Sequence, residues 1–402
     1  MLLHLFFLSV LALVSAFLAR VFTVGLEGAL AAQASFPYLV FLLPVVLFVT
    51  RFSERVLERL ARSENGEPRH KDVLQGYAVV PLTWLSHCAG ASVGREGVAV
   101  QLGRSVAKTL ASVTAVQGPW CREEALFKYG VASGFAAIFG TPFAAAVFAF
   151  EFFRTQNPEP RQVKWMNAAR EAVPVFFSAF LSHQFATRLF GMRHTQFLVP
   201  NFEFSSAFFA FVMIVVLGAF FAARLHEAMT RSMKTLFFSW HQRHMLLAYV
   251  PSVLLLVVLS LPPFIPHRNL GTYFIEGVLS HAQSPLQPSG WEWWCKSFVT
   301  SLSVAAGFRG GEVTPLFSMG VLLAYPLSFL FKVPAAKAAA TGFASLFACV
   351  MRAPWTGVIL SFELFGWEGG LGGALVCALL AILLNRTRTT VLRGFLFQRR
   401  QA

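Results

Sequence analysis

The chain has 402 residues, of which 56% are hydrophobic and only 13% charged. Soluble domains carry roughly 25% charged residues, so the composition argues against a water-soluble enzyme. Gly numbers only 29 and no low-complexity run occurs, which excludes a collagen-like or disordered chain. Lys and Arg number 33 against 19 Asp and Glu, a net charge of +14. In a chain this apolar the excess reads as a cytoplasmic-face bias rather than a nucleic-acid partner.

Residues 1–20 are apolar and carry His4 and Arg20 but no basic n-region; further apolar tracts follow at once, so they read as a first membrane helix, not a cleaved leader. Apolar tracts then recur near 36–50, 73–92, 98–116, 125–152, 171–190, 205–224, 245–265, 297–307, 315–331, 335–350, 353–366 and 369–385. Several fall short of the ~20 residues a straight span needs. Several meet Gly- or Pro-rich breaks at AGASVGREG, FGTPF, GFRGGEVTPLF and RAPWTG. Broken helices at membrane depth are tolerated where they face protein or a water-filled cavity, which points to a transporter. The Pro- and Trp-rich segment 263–296 reads as an external loop with an interfacial aromatic belt.

Basic residues lie in three patches: Arg51 to Lys71, Arg154 to Arg170, and Arg386 to Arg400. They mark one face, with the C-terminus inside. The five cysteines form no CxxC pair, so neither a disulfide framework nor a metal site is expected. The whole reads as a single transmembrane transporter domain over 1–402, in halves near 1–195 and 196–402, without a soluble regulatory domain.

An internal repeat supports the two halves. SGFAAIFGTPFAAAVFAFEFF at 133–153 is similar to TGFASLFACVMRAPWTGVILSFELF at 341–365. Each carries Gly-Phe-Ala, then Pro142 or Pro354, then Glu151 or Glu363 at the same spacing. Each follows a Gly-rich break, at 93–103 and 309–320. Broken helices in matching places of two halves point to a binding site between inverted repeats.

Gly94-Arg95-Glu96-Gly97 opens a helical pattern continued by Val98, Val100, Leu102 and Val106. Glycines let the backbone approach a ligand, and a helix N-terminus offers unpaired N–H groups to an anion. A carboxylate is stabilised at the same spot. Glu96 is therefore expected to occupy the anion's place and to leave it when protonated, as gate and proton carrier. The bland alternative is a first-turn acid paired with Arg95. In the second half, Gly310-Gly311-Glu312-Val313-Thr314-Pro315 is the matching break, with Pro315 suited to a first helical turn. N–H groups of Glu312 and Val313 and the Thr314 hydroxyl are candidates for the same anion. Glu312 aligns near Arg95, which leaves an ion pair and a proton role equally open for it.

Ser92 to Gln101 resembles the GREGPxxQ motif of the chloride-channel (CLC) superfamily. His87, GGEVTPLF at 310–317, FGTPFAAAVFAFE at 139–151 and SFELFG at 361–366 are most similar to its fluoride/proton antiporter branch. The resemblance covers most of 73–366. It implies an all-α polytopic membrane fold of two inverted halves and a homodimer with one pathway per subunit. It also implies Glu96 as the gating glutamate and Glu312, Val313 and Thr314 as the anion-facing helix start. The chain departs from the pattern in four places. The first Gly-rich anion motif, including its Gly-Asn-Asn version, has no counterpart in 51–72; Val98 replaces a proline; Phe152 stands where chloride/proton members have a second acid; and Phe395 stands where the family has a pore tyrosine.

The resemblance thus implies a transporter exchanging halide, fluoride first, for protons across the cell (inner) membrane, with no cofactor and no nucleic acid. The alternative on the same fold is a passive, voltage-gated-type anion channel. A membrane enzyme would need convergent Asp, His or Lys residues, and His70, His183, His226 and His241 are scattered without metal spacing. A degenerate member acting only as a membrane partner is the remaining alternative.

Overall fold

The structure, a computed structural model, describes residues 2–60, 71–114, 122–156, 165–194, 197, 199, 205–243, 246–279 and 290–398. Among them the regular structure is helical. The helices are α1 (Leu2–Ser35), α2 (Leu43–Leu60), α3 (Lys71–Cys88), α4 (Glu96–Thr114), α5 (Glu123–Phe139), α6 (Pro142–Gln156) and α7 (Trp165–Gln184). The second half holds α8 (Ser206–Arg243), α9 (Val250–Ser260), α10 (Thr272–Leu279), α11 (Glu292–Ala306), α12 (Val313–Phe331), α13 (Ala335–Phe343), α14 (Ser345–Val350) and α15 (Pro354–Gln398). The one extended pairing is an antiparallel bridge between Gly94 and Gly311.

Among the described residues four helices are long and apolar enough to cross a membrane alone: Leu2–Ser35, Ser206–Trp240, Val313–Phe331 and Pro354–Asn385. In α1, Leu8, Leu11 and Phe22 are buried while Leu2, Phe6 and Phe17 are exposed. A helix apolar on every side suits one face against protein and the other against lipid.

The two halves repeat one packing device. A Cβ on Gly103 of α4 would lie 2.1 Å from the Gly130 carbonyl oxygen of α5, and one on Gly320 of α12 would lie 2.2 Å from the Gly342 oxygen of α13. Lipid is as apolar as leucine, so helices in membranes associate through such close backbone approach. The core then closes on aromatic rings, with Phe317 stacked on Phe343 at 4.4 Å and meeting Phe139 edge-on at 5.5 Å. This is an all-α, multi-span bundle of two inverted repeats.

Two tracts divide differently from the sequence expectation. Segment 263–296 is not a simple external loop: Thr272–Leu279 is a helix whose Phe274, Ile275, Val278 and Leu279 are buried. Their helical spacing gives one apolar face, which outweighs the flanking prolines and tryptophans; residues 280–289 lie outside the described set. The tracts 353–366 and 369–385 run on as one helical stretch bent at Gly366, whose φ of 71° and ψ of 179° are non-helical and suit glycine.

Candidate functional site

The two Gly-rich breaks meet. Gly311 N–H donates to the Gly94 carbonyl at 2.7 Å, and Gly94 N–H returns a bond to Gly311. A Cβ on Gly97 would sit 2.8 Å from the Gly311 Cα, so side chains at either position would push the breaks apart. The bridge is antiparallel, so its register runs Arg95 past Gly310, and Arg95 and Glu312, which match in the repeat, do not lie opposite each other.

This contact carries Glu96, buried at the start of α4, across to α12. Thr314 N–H donates to Glu96 Oε2 at 3.0 Å, and the Thr314 hydroxyl donates to the same oxygen. Arg95 Nε donates to Oε1 at 3.2 Å. Glu96 thus pairs with Arg95, and its carboxylate sits on the N-terminus of a helix from the other half. That end presents N–H groups and positive dipole, the setting that also holds a free anion. Val313 and Thr314 are buried here. Val98 is buried too, and its N–H donates to the Arg95 carbonyl at 3.2 Å.

A buried cation braces the approach to this turn. Lys296 of α11 donates to Ser92 Oγ at 2.8 Å, to the His267 carbonyl at 2.9 Å and to the Asn269 carbonyl at 2.6 Å. All three ammonium donors are used. Ser92 N–H also donates to the Ser303 hydroxyl oxygen at 3.0 Å, and its hydroxyl pairs with that of Thr300 at 2.8 Å. Sequence reasoning missed Lys296, because a lysine after a Trp pair at a tract edge reads as interfacial.

Glu312 is the residue before α12, and its carboxylate faces α8. It lies 3.9 Å from His226 Nε2 and 3.9 Å from Lys234 Nζ, both on α8. Nearby, Arg309 is paired with Glu54 of α2, within the first basic patch. Glu312 thus shares its surroundings with Lys234 of α8 and with the Arg309–Glu54 pair. Sequence reasoning had set His226 aside as scattered; only the fold brings it to Glu312.

The repeat glutamates make the same kind of contact, reciprocally. Glu151 of α6 accepts Trp355 N–H at 3.2 Å, Thr356 N–H at 2.8 Å and the Thr356 hydroxyl at 2.7 Å at the start of α15. Glu363 of α15 accepts Phe143 N–H at 3.0 Å and Ala144 N–H at 2.7 Å at the start of α6. Each half caps the other's broken helix. Glu363 also borders a cavity of about 420 Å³ with Thr141, His183, Arg188 and His194. The Thr141 hydroxyl is buried there without a partner among the described residues. Glu363 has taken the N–H groups that an N-cap side chain ordinarily holds.

With this geometry, residues 41–386 match the family described as voltage gated chloride channel. The chain belongs to the voltage-gated chloride channel family. It is a multi-pass membrane protein of anion transport. It is 26% identical to the chloride/fluoride channel protein of Pseudomonas syringae pv. tomato over 385 residues, covering 91% of this chain and 80% of that one. It is 25% identical to the H(+)/Cl(-) exchange transporter ClcA of Vibrio cholerae over 301 residues, covering 69% of this chain and 59% of that one. The fold is similar to that of a CLC-type fluoride/proton antiporter, with a TM-score of 0.80, 24% identity and 94% of each chain covered. It is also similar to a slow cyanobacterial Cl-/H+ antiporter, with a TM-score of 0.71, 16% identity, and 96% of this chain and 97% of that one covered. Within this family frame, Phe395 falls in the last helical stretch, Pro354–Gln398, and its side chain lies outside the described residues.

Proposed function

We propose that the chain is a secondary transporter exchanging halide, fluoride first, for protons, with Glu96 as gate and proton carrier. The observation that carries this reading is the Glu96 carboxylate seated on the start of α12, held by Thr314 N–H and hydroxyl. Protonation removes the charge that the helix end stabilises. Once Glu96 leaves, the same donors are free for a halide, and Gly94 and Gly97 put no side chain in its way. Arg95, Glu312 and Val313 frame the site. In this reading the 402 residues act as one transporter domain, the protein works as a homodimer in the cell's inner membrane, and no cofactor takes part. Support for fluoride comes from the names of the Pseudomonas relative and of the antiporter with the similar fold.

The test is flux from proteoliposomes of the purified protein, with anion and pH recorded together. Wild-type protein moves protons against fluoride, and Glu96→Gln abolishes the coupled proton movement. Unchanged coupled proton flux in Glu96→Gln refutes the assignment. A second reading, a passive anion channel on the same fold, is favoured by the Pseudomonas relative, a chloride/fluoride channel protein. It predicts a reversal potential that ignores an imposed pH gradient.

A further inference from the structure

Lys296 of α11 is fully buried, at 0% exposure. Its three ammonium donors end on neutral oxygens: the Ser92 hydroxyl and the carbonyls of His267 and Asn269. No carboxylate among the described residues pairs with it. Glu292, four residues earlier on α11, accepts the Gly290 N–H at 3.0 Å instead. The other groups around Lys296 are neutral or cationic. His87 of α3 is fully buried with both ring nitrogens unpartnered among the described residues, Arg268 donates to the Leu259 carbonyl at 2.6 Å, and Arg95 turns to Glu96. Taking an ammonium out of water is expensive, and buried charges are as a rule paired. Lys296 is a buried cation that lacks an acid of its own.

Its place in the fold shows what answers the charge. Ser92, which accepts from Lys296, stands two residues before Gly94, where the first break is bridged to Gly311. On another side, a Cβ on Gly271 would lie 2.9 Å from Lys296 Cε and 2.6 Å from Ser318 Oγ of α12. Gly271 has φ of 82°, so glycine both permits this turn and lets Lys296 and α12 close on it. Ser318 follows Thr314 by four residues, about one helical turn. Lys296 is thus tied to the break that carries Glu96 and packed beside the first turns of the helix that receives it. Among buried groups a charge is felt over a longer range than in water.

We propose that Lys296 is the fixed counter-charge of the seat on α12, a positioning residue that sets how tightly an anion is held there without touching it. The proposal rests on the reading that a halide takes the place of the Glu96 carboxylate. The negative charge that answers Lys296 is then whichever group occupies the helix start, Glu96 or the halide. Three neutral oxygens hold the ammonium back from the seat, so the halide gains attraction without a direct ion pair. That suits an ion that must bind well enough to enter and loosely enough to leave. Coulomb attraction does not distinguish fluoride from chloride, so Lys296 supplies affinity for both.

The test is calorimetric halide affinity of purified protein in a Glu96→Gln background, where the halide alone answers the charge. Lys296→Met keeps the stem, removes the charge and lowers fluoride and chloride affinity together, by roughly tenfold or more. Lys296→Arg holds both affinities within about threefold of the parent, although its planar fork fits the three oxygens poorly and its melting temperature falls. Should either variant fail to purify as a monodisperse sample, Asn269→Asp takes its place. The Asn269 amide oxygen is buried without a partner among the described residues, and a near-isosteric carboxylate there gives Lys296 an acid of its own and lowers both affinities severalfold. A loss in Lys296→Arg as deep as in Lys296→Met makes the role structural and overturns the proposal, as does parental affinity in Lys296→Met or Asn269→Asp. Thr314→Val tells the two failures apart. Weakened binding there beside unaltered binding in Lys296→Met overturns the counter-charge alone, whereas unaltered binding in Thr314→Val refutes the seat on α12 and the counter-charge with it.

Discussion

Two regions of this molecule put a glutamate on the start of a helix from the opposite half, and they differ in what holds the glutamate there. At the central break, Glu96 rises from the first turn of α4 between glycines and meets the N–H and hydroxyl of Thr314. At the paired repeats, Glu151 and Glu363 stand well inside α6 and α15 and meet Thr356 and Phe143–Ala144. The electrostatic logic is shared, since a carboxylate answers the unpaired N–H groups of a helix end in both. The mechanical setting is not. Glu151 and Glu363 lock one half to the other twice, each from the interior of its own helix. Glu96 stands in the first turn of α4 with glycine at 94 and 97, which put no side chain beside it. Under the proposed function the same chemical contact is a rivet in one region and a latch in the other.

The largest expected effect breaks the ground both regions stand on. Gly311→Val places a Cβ 2.6 Å from the Gly97 nitrogen, and Gly97→Val meets the Gly311 Cα at 2.8 Å. Both variants lose the Gly94–Gly311 bridge, and size-exclusion profiles with thermal melts show aggregated or strongly destabilised protein. Next comes the rivet. Glu363→Gln and Glu151→Gln each lose hydrogen bonds to a charged acceptor, worth about 1.5–3 kcal/mol apiece, and their melting temperatures fall. Flux per folded molecule stays near wild type. Glu96→Gln gives the reverse pattern, with an unchanged melt and lost proton coupling. If Glu363→Gln abolishes coupling while its melt holds, the distinction between rivet and latch is wrong.

A finer contrast uses the two threonines that do the same job. Thr314→Val and Thr356→Val each remove one hydroxyl donor from a carboxylate at a helix start. Thr314→Val weakens fluoride binding in calorimetry, because that hydroxyl passes to the anion when Glu96 leaves. Thr356→Val lowers only the melting temperature, by the equivalent of about 1–3 kcal/mol. Equal effects of both on binding would place the anion elsewhere. The smallest expected change is at Arg95. The Arg95 side chain is partly exposed, and Thr314 N–H and hydroxyl still hold the buried Glu96 carboxylate without it, so Arg95→Gln lowers the melting temperature less than the other substitutions do.

By itself the sequence determined the membrane class, the two halves and the location of the breaks, because these follow from local rules. Long apolar tracts must span lipid, glycine and proline interrupt helices wherever they occur, and Pro142–Glu151 repeats as Pro354–Glu363 at one spacing. The presence of a glutamate between glycines at a helix start was legible for the same reason. Which helix start each glutamate answers was decided only in three dimensions. Glu96 reaches Thr314, and Glu151 and Glu363 cross to each other's halves, over separations of about two hundred residues that no periodicity encodes. Lys296 and His226 were hidden in the same way: a lysine and a histidine at tract ends look interfacial until the fold closes α11 on Ser92 and α8 on Glu312. The Thr272–Leu279 helix was masked by its prolines and tryptophans, whose loop signal is local, whereas the apolar face that buries it matters only once α12 and α13 are there to receive it.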